Sequence, residues 1–74
     1  MSAKKQNKAT LVLKSAQVNR GMIQADVAKR MGVQQATVSR WYRDIDNMSV
    51  GEFRLLCKLL GVSPAEIISL RNGG

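Results

Sequence analysis

Histidine is absent from the 74-residue chain, and Cys57 is its only cysteine. Neither an internal disulfide framework nor a Cys/His zinc cluster can be assembled from that inventory. Acidic residues are scarce: Asp26, Asp44, Asp46, Glu52 and Glu66 complete the set, and no two stand at a spacing typical of acid–base catalysis or metal ligation. The expectation is a non-enzyme with no catalytic residues, no metal, no cofactor and no small-molecule substrate. Gly21, Gly32, Gly51 and Gly61 are isolated from one another, which excludes a glycine-rich phosphate cradle. No hydrophobic run approaches the length of a membrane span, and MSAKKQNK is followed by no apolar stretch long enough for export. A soluble protein of a reducing cytoplasm, with no membrane-spanning segment, is expected.

What the chain has in excess is positive charge. Twelve Lys and Arg against five Asp and Glu give a net charge of +7 and a pI near 10.4. A polyanionic partner follows, with nucleic acid and an anionic membrane surface both open at this point and simple solubility as the plain alternative. Hydrophobic residues make up 45% of the chain and are spread along it, so it folds despite its charge. A domain this small buries only roughly 60% of its unfolded surface, which limits it to one economical core.

The pattern is helical throughout. From about Asn7 to Arg20, Ala9, Val12, Leu13 and Ala16 recur at helical spacing, and Gly21 supplies a left-handed stop. A second helix spans about Gln24 to Met31, with Val27, Ala28 and Met31 on one side and Asp26, Lys29 and Arg30 on the other. Gly32 breaks it. A third runs from about Gln35 to Arg43, and DIDN after it reads as a loop. Ser49 with Glu52, and Ser63 with Glu66, have the S-x-x-E spacing of a capping box, and the only proline, Pro64, occupies a first helical position. Helices over 50–60 and 64–71 follow, the first ended by Gly61. Its stripe of Val50, Phe53, Leu56, Cys57 and Leu60 makes the cysteine a small core residue rather than a reactive thiol.

The brief connection at Gly32 carries the functional information. Two short helices this close must cross steeply, burying Val27, Ala28, Met31, Val33, Val38 and Trp41 where they meet. Val38 and Trp41 then point inward, while Gln35, Ala36, Ser39, Arg40 and Arg43 line the other side.

At these residues the chain resembles a known family. QADVAKRMGVQQATVSRW is similar to the helix-turn-helix of lambda-type phage regulators, the Cro and CI repressors and their bacterial Xre-like relatives. SRWYRD is also similar to phage CII activators, and MSVGEFRLLCKLLGVSPAEI resembles the fourth and fifth helices of the same fold. The likeness covers about residues 7 to 70. It implies an all-α, five-helix, lambda-repressor-like domain over 7–71, preceded by a flexible basic arm at 1–6 and followed by a short tail at 72–74. It further implies a sequence-specific transcription regulator, a phage repressor that binds a double-stranded DNA operator in the cytoplasm or nucleoid of a bacterial host.

By position, the resemblance places Gln34, Gln35, Ala36 and Thr37 nearest the base edges of the major groove, with Ser39 and Arg40 one turn further. Gln35 matches a glutamine that pairs with adenine, whose N7 and N6 meet one amide donor and one acceptor. Ala36 suits a thymine methyl and Arg40 a guanine. Gln24 matches a residue that binds phosphate and braces the adenine-reading glutamine. Arg43 either grips phosphate or pairs with Asp44 or Asp46, and Tyr42 either flanks the core or bonds a phosphate. Lys4, Lys5 and Lys8 form either a phosphate-binding arm or a frayed terminus. Neither Ile23 nor Gln34 is a favourable N-cap, a departure that leaves helix-start amides available to phosphate.

A homodimer is expected, with contacts around Ile45 to Met48 and Ile67 to Leu70; a tetramer of CII type is the larger alternative. The competing functions are a CII-like activator and an antitoxin-type protein-interaction module.

Overall fold

The computed structural model describes residues 8–72. Five α-helices follow in order: α1 Lys8–Asn19, α2 Gln24–Met31, α3 Gln35–Arg43, α4 Val50–Leu60 and α5 Pro64–Arg71. No strand occurs among the described residues, and no helix there is long and apolar enough to cross a membrane. Helix α1 packs against α3, α4 and α5, while α2 packs chiefly on α3. Asn7, the expected first residue of α1, lies outside the described residues. At the other end Arg20 N–H still bonds the carbonyls of Ala16 and Gln17, so the helix frays rather than stops there.

Three helix ends share one construction. Gly21, Gly32 and Gly61 have φ of 71°, 71° and 74°, a left-handed conformation that costs other residues free energy. The residue after each glycine donates its N–H back five positions, Met22 to Gln17, Val33 to Ala28 and Val62 to Cys57, at 2.9–3.0 Å. Met22, Val33 and Val62 then pack partly buried against the core. At Gly61 a Cβ would also meet the Arg20 guanidinium, 2.6 Å from Nη2, a contact the flexible arginine can yield, so the positive φ is what holds glycine there.

The core joins Leu13 of α1, Val27 of α2, Val38 and Trp41 of α3, Leu56 and Cys57 of α4 and Ile67 of α5, all at most 1% exposed. Cys57 is therefore a packing residue, and burial raises its thiol pKa above the ordinary value. Two polar residues share the buried stripe of α1. Gln17 donates its amide Nε2 to the Met22 carbonyl at 3.0 Å, latching α1 to the entrance of α2. Thr10 Oγ1 and Gln17 Oε1 are buried without a partner.

Two expectations need correction. DIDN is a turn of 3-10 helix over Ile45–Asn47, because Asp44 Oδ1 accepts from Asp46 N at 2.9 Å and Ile45 is drawn into the core. Of the two expected capping boxes, only the first is complete: Glu52 N donates to Ser49 Oγ at 3.1 Å and Ser49 N to Glu52 Oε1 at 2.9 Å. Ser63 caps the Glu66 N–H at 3.4 Å, but Glu66 does not reach back.

Candidate nucleic-acid interface

The α2–α3 pair is fixed by its inner face. Val27 and Ala28 on α2 and Val38, Trp41 and Tyr42 on α3 are all buried in one core cluster, and the two helices pack directly on each other. Trp41, 1% exposed, is a core residue. Tyr42 is settled the same way: it is buried, its hydroxyl has no partner, and desolvation pushes its pKa up to about 12. Such a hydroxyl is not presented to a phosphate.

With that face committed, the opposite one is free. Gln34, Gln35, Ala36, Arg40 and Arg43 are exposed, and Thr37 and Ser39 are half-buried at the margin. Ser39 Oγ donates to Gln24 Oε1 at 2.8 Å, tying α3 to the start of α2. The brace expected from Gln24 to Gln35 is thus made to Ser39 instead. The bond consumes the serine's only proton and leaves the Gln24 Nε2 donors uncommitted within the protein. Lys8, also exposed, stands at the first turn of α1, and Lys4 and Lys5 lie outside the described residues.

Helix starts here lack the serine side-chain cap found at those later in the chain. Gln34 makes no side-chain cap, and while the Thr37 and Val38 N–H groups bond the Gln34 carbonyl, those of Gln35 and Ala36 find no intramolecular acceptor. Unpaired amides at the positive end of a helix dipole form an anion site. The start of α2 is electrostatically different. Ile23 offers no acceptor of its own, but the Asp26 carboxylate accepts the Ile23 N–H at 3.0 Å and sets negative charge on that helix end.

Charge accounting favours the same face. Asp44 is occupied by its turn, and Asp46 receives a two-pronged bond from Arg71, Nε at 2.6 Å and Nη2 at 2.5 Å. That guanidinium holds the Asp46 carboxyl below the usual range. This is the only ion pair among the described residues, so Arg43 is paired with neither aspartate and Arg40 stands free beside it. Asn47 Nδ2 donates to the Arg40 carbonyl at 2.8 Å, closing the end of α3, a role that sequence reading missed. It also missed Lys29. The lysine lines, with Ala25, Val33 and Gln35, a cleft of about 390 Å³ next to the outward edge of α3. The short turn after Met31 is the signal that brings that flank of α2 beside Gln35.

The dimer contact expected at Ile45 to Met48 and Ile67 to Leu70 is only partly at the surface. Ile45 and Ile67 are 7% and 0% exposed and belong to the core. Met48 and Ile68 remain accessible and line a groove with Val50, Phe53, Asp46 and Arg71. No group of His, Cys, Asp and Glu able to hold a metal occurs among the described residues.

Comparison with curated proteins and with solved structures gives no match. A model of the helix-turn-helix family HTH_3 matches residues 13–67, which takes in α2, the Gly32 turn, α3 and the scaffold beneath them. The chain therefore belongs to the Cro/CI-type helix-turn-helix family and is a DNA-binding transcription regulator of that kind.

Proposed function

We infer that this regulator is a phage repressor of Cro or CI type that binds its operator as a homodimer, with α3 of each protomer in a major groove. The observation that carries this reading is the division of α3: Val38, Trp41 and Tyr42 are buried, while Gln34, Gln35, Ala36, Arg40 and Arg43 face solvent with no intramolecular ion pair. A helix so divided is anchored rigidly and presents hydrogen-bonding groups that the protein does not use itself.

In this reading Gln35 pairs with adenine, Arg40 with guanine, and Ala36 touches a thymine methyl, with Gln34 and Thr37 at the same edge. Ser39 reaches a base only through its lone pairs, since its proton is held by Gln24. Gln24, Arg43 and the lysines Lys4, Lys5 and Lys8 bind phosphate and set the register. The free amides of Gln35 and Ala36 add a further phosphate contact, which the carboxylate at the start of α2 opposes there. Two protomers place their α3 helices roughly 34 Å apart. The groove of Met48, Val50, Phe53 and Ile68 supports the pairing, because Val50 is 73% exposed and Asp46 and Arg71 give the rim both signs of charge for a two-fold contact. The site of action is the nucleoid of a bacterial cytoplasm.

Selection of bound duplexes from a random pool tests the proposal. A two-fold symmetric motif with half-sites about one helical turn apart is the expected result. Recovery of no motif, with binding set by salt alone, would overturn sequence-specific recognition.

A further inference from the structure

A second open cleft lies away from α3. It is lined by Arg30 and Met31 of α2 and by Leu55, Lys58 and Leu59 of α4, with a volume of about 340 Å³. Its floor is apolar: Leu55 is 59% exposed, and Met31 and Leu59 are half-buried against the core. Its rim is cationic, and neither Arg30 nor Lys58 has an ion-pair partner among the described residues. Four of the five acids are engaged elsewhere: Asp26, Asp44 and Glu52 bond backbone N–H groups, and Asp46 holds Arg71. The fifth, Glu66 on α5, forms no ion pair with either cation.

The cleft is separate from both surfaces described above. Successive helix residues are turned by about 100°, so Lys29, on the Gln35 cleft, and Arg30, on this one, occupy different flanks of α2. On α4, Leu55 lies about 140° around the axis from Val50, the exposed residue of the Met48–Ile68 groove. A dimer closed through that groove, with α3 on DNA, still presents this face to solvent. DNA is a poor occupant, because a leucine-centred floor gains nothing from phosphate.

We propose that the α2–α4 cleft docks an acidic amphipathic helix of a partner protein, its leucine-type residues seated on Met31, Leu55 and Leu59 and its carboxylates on Arg30 and Lys58. Apolar anchors four residues apart would match the Leu55–Leu59 spacing, and flanking Asp or Glu would complete charges that the chain leaves unmatched. The partner is selected by charge sign at the rim and by burial at the floor.

The test uses the full chain with methyl-labelled Met and Leu. A synthetic helical peptide with leucines four apart bordered by glutamates is titrated against a scrambled peptide of the same composition. Saturable shifts at Met31, Leu55 and Leu59 are expected, with the scrambled peptide at least about tenfold weaker. Leu55→Gln, at an exposed position that folding does not need, should weaken the ordered peptide by a similar factor, and Lys58→Glu should also lower affinity. Equal binding of both peptides, shifts centred on α3, or the same methyl shifts on raising protein concentration alone would each overturn the proposal. No DNA is present, so a negative result leaves the operator reading untouched.

Discussion

At the start of α4, Ser49 and Glu52 satisfy each other's backbone N–H groups; at the start of α3, Gln34 offers no side-chain cap, and only its carbonyl accepts from the first turn. Both helices are short, and both bury one face in the same core. Local propensity alone would favour the same cap at each. The contrast is confined to the cap: α4 and α5 each carry a serine side chain on the third amide, whereas α3 has none and draws its stability from Val38, Trp41 and Tyr42. A backbone group left unsatisfied at the surface loses little in water, so this arrangement costs far less than a buried orphan would.

The severest way to break the contrast is to remove the anchor. Trp41→Ala should cost about 3–5 kcal/mol in denaturant unfolding, enough to leave so small a domain largely unfolded and all DNA affinity lost with it. Gln35→Ala acts on the other side: stability within about 0.5 kcal/mol of the parent, and about 1–3 kcal/mol lost on the cognate operator with one base position relaxed. Titration across single-base operator variants reads this out, and a uniform loss on every sequence would contradict base reading by Gln35.

Exchanging the two helix starts sharpens the comparison further. Ser49→Ala should lower stability by about 1 kcal/mol and leave DNA binding alone, while Gln34→Asp, which installs a cap, should raise stability by about 1 kcal/mol and weaken binding. Thermal midpoints and binding isotherms on the same preparations check both halves. Undiminished affinity in Gln34→Asp would mean that the free amides of α3 meet no phosphate.

At neutral pH the smallest effect is that of Tyr42, whose influence on stability falls in the alkaline limb. The folded Tyr42 pKa, raised to about 12, lies above the unfolded value of about 10, so its contribution is complete below pH 10 and is lost as pH rises toward 12. Tyr42→Phe removes a buried hydroxyl that has no partner. It should be neutral or slightly stabilising at pH 7 and should flatten the stability loss above pH 10. An unchanged alkaline slope would show that another group causes it.

Features written in local chemistry were legible in the sequence. Gly21, Gly32 and Gly61 end helices because their conformations suit glycine, and Ser49 and Ser63 start them because their hydroxyls reach the third residue on. Two failures were local, the Asp44–Asp46 turn and the Glu66 carboxylate that does not reach back, and the others depended on neighbours far along the chain. The hydroxyl of Ser39 meets Gln24 only because α2 and α3 cross, and no periodicity encodes that bond. Ile45 and Ile67 are apolar in either a core or an interface, so composition could not tell which. Tyr42 follows Val38 by four positions and Trp41 by one, a placement compatible with margin or interior until the packing around α1 is known. The candidate base-reading residues, by contrast, were found by position, and their exposure follows from the burial of the opposite face.

Gln34, Gln35, Ala36 and Arg40 are exposed, and none of their side chains forms an internal hydrogen bond or ion pair. Helix-compatible substitutions at Gln35, Ala36 and Arg40 should change stability by no more than about 0.5 kcal/mol. In the operator reading proposed above, preference for one duplex over another can therefore drift by single changes while the scaffold stays the same, which makes the outward edge of α3 a place where evolution, or a library, can rewrite an address without rebuilding the house.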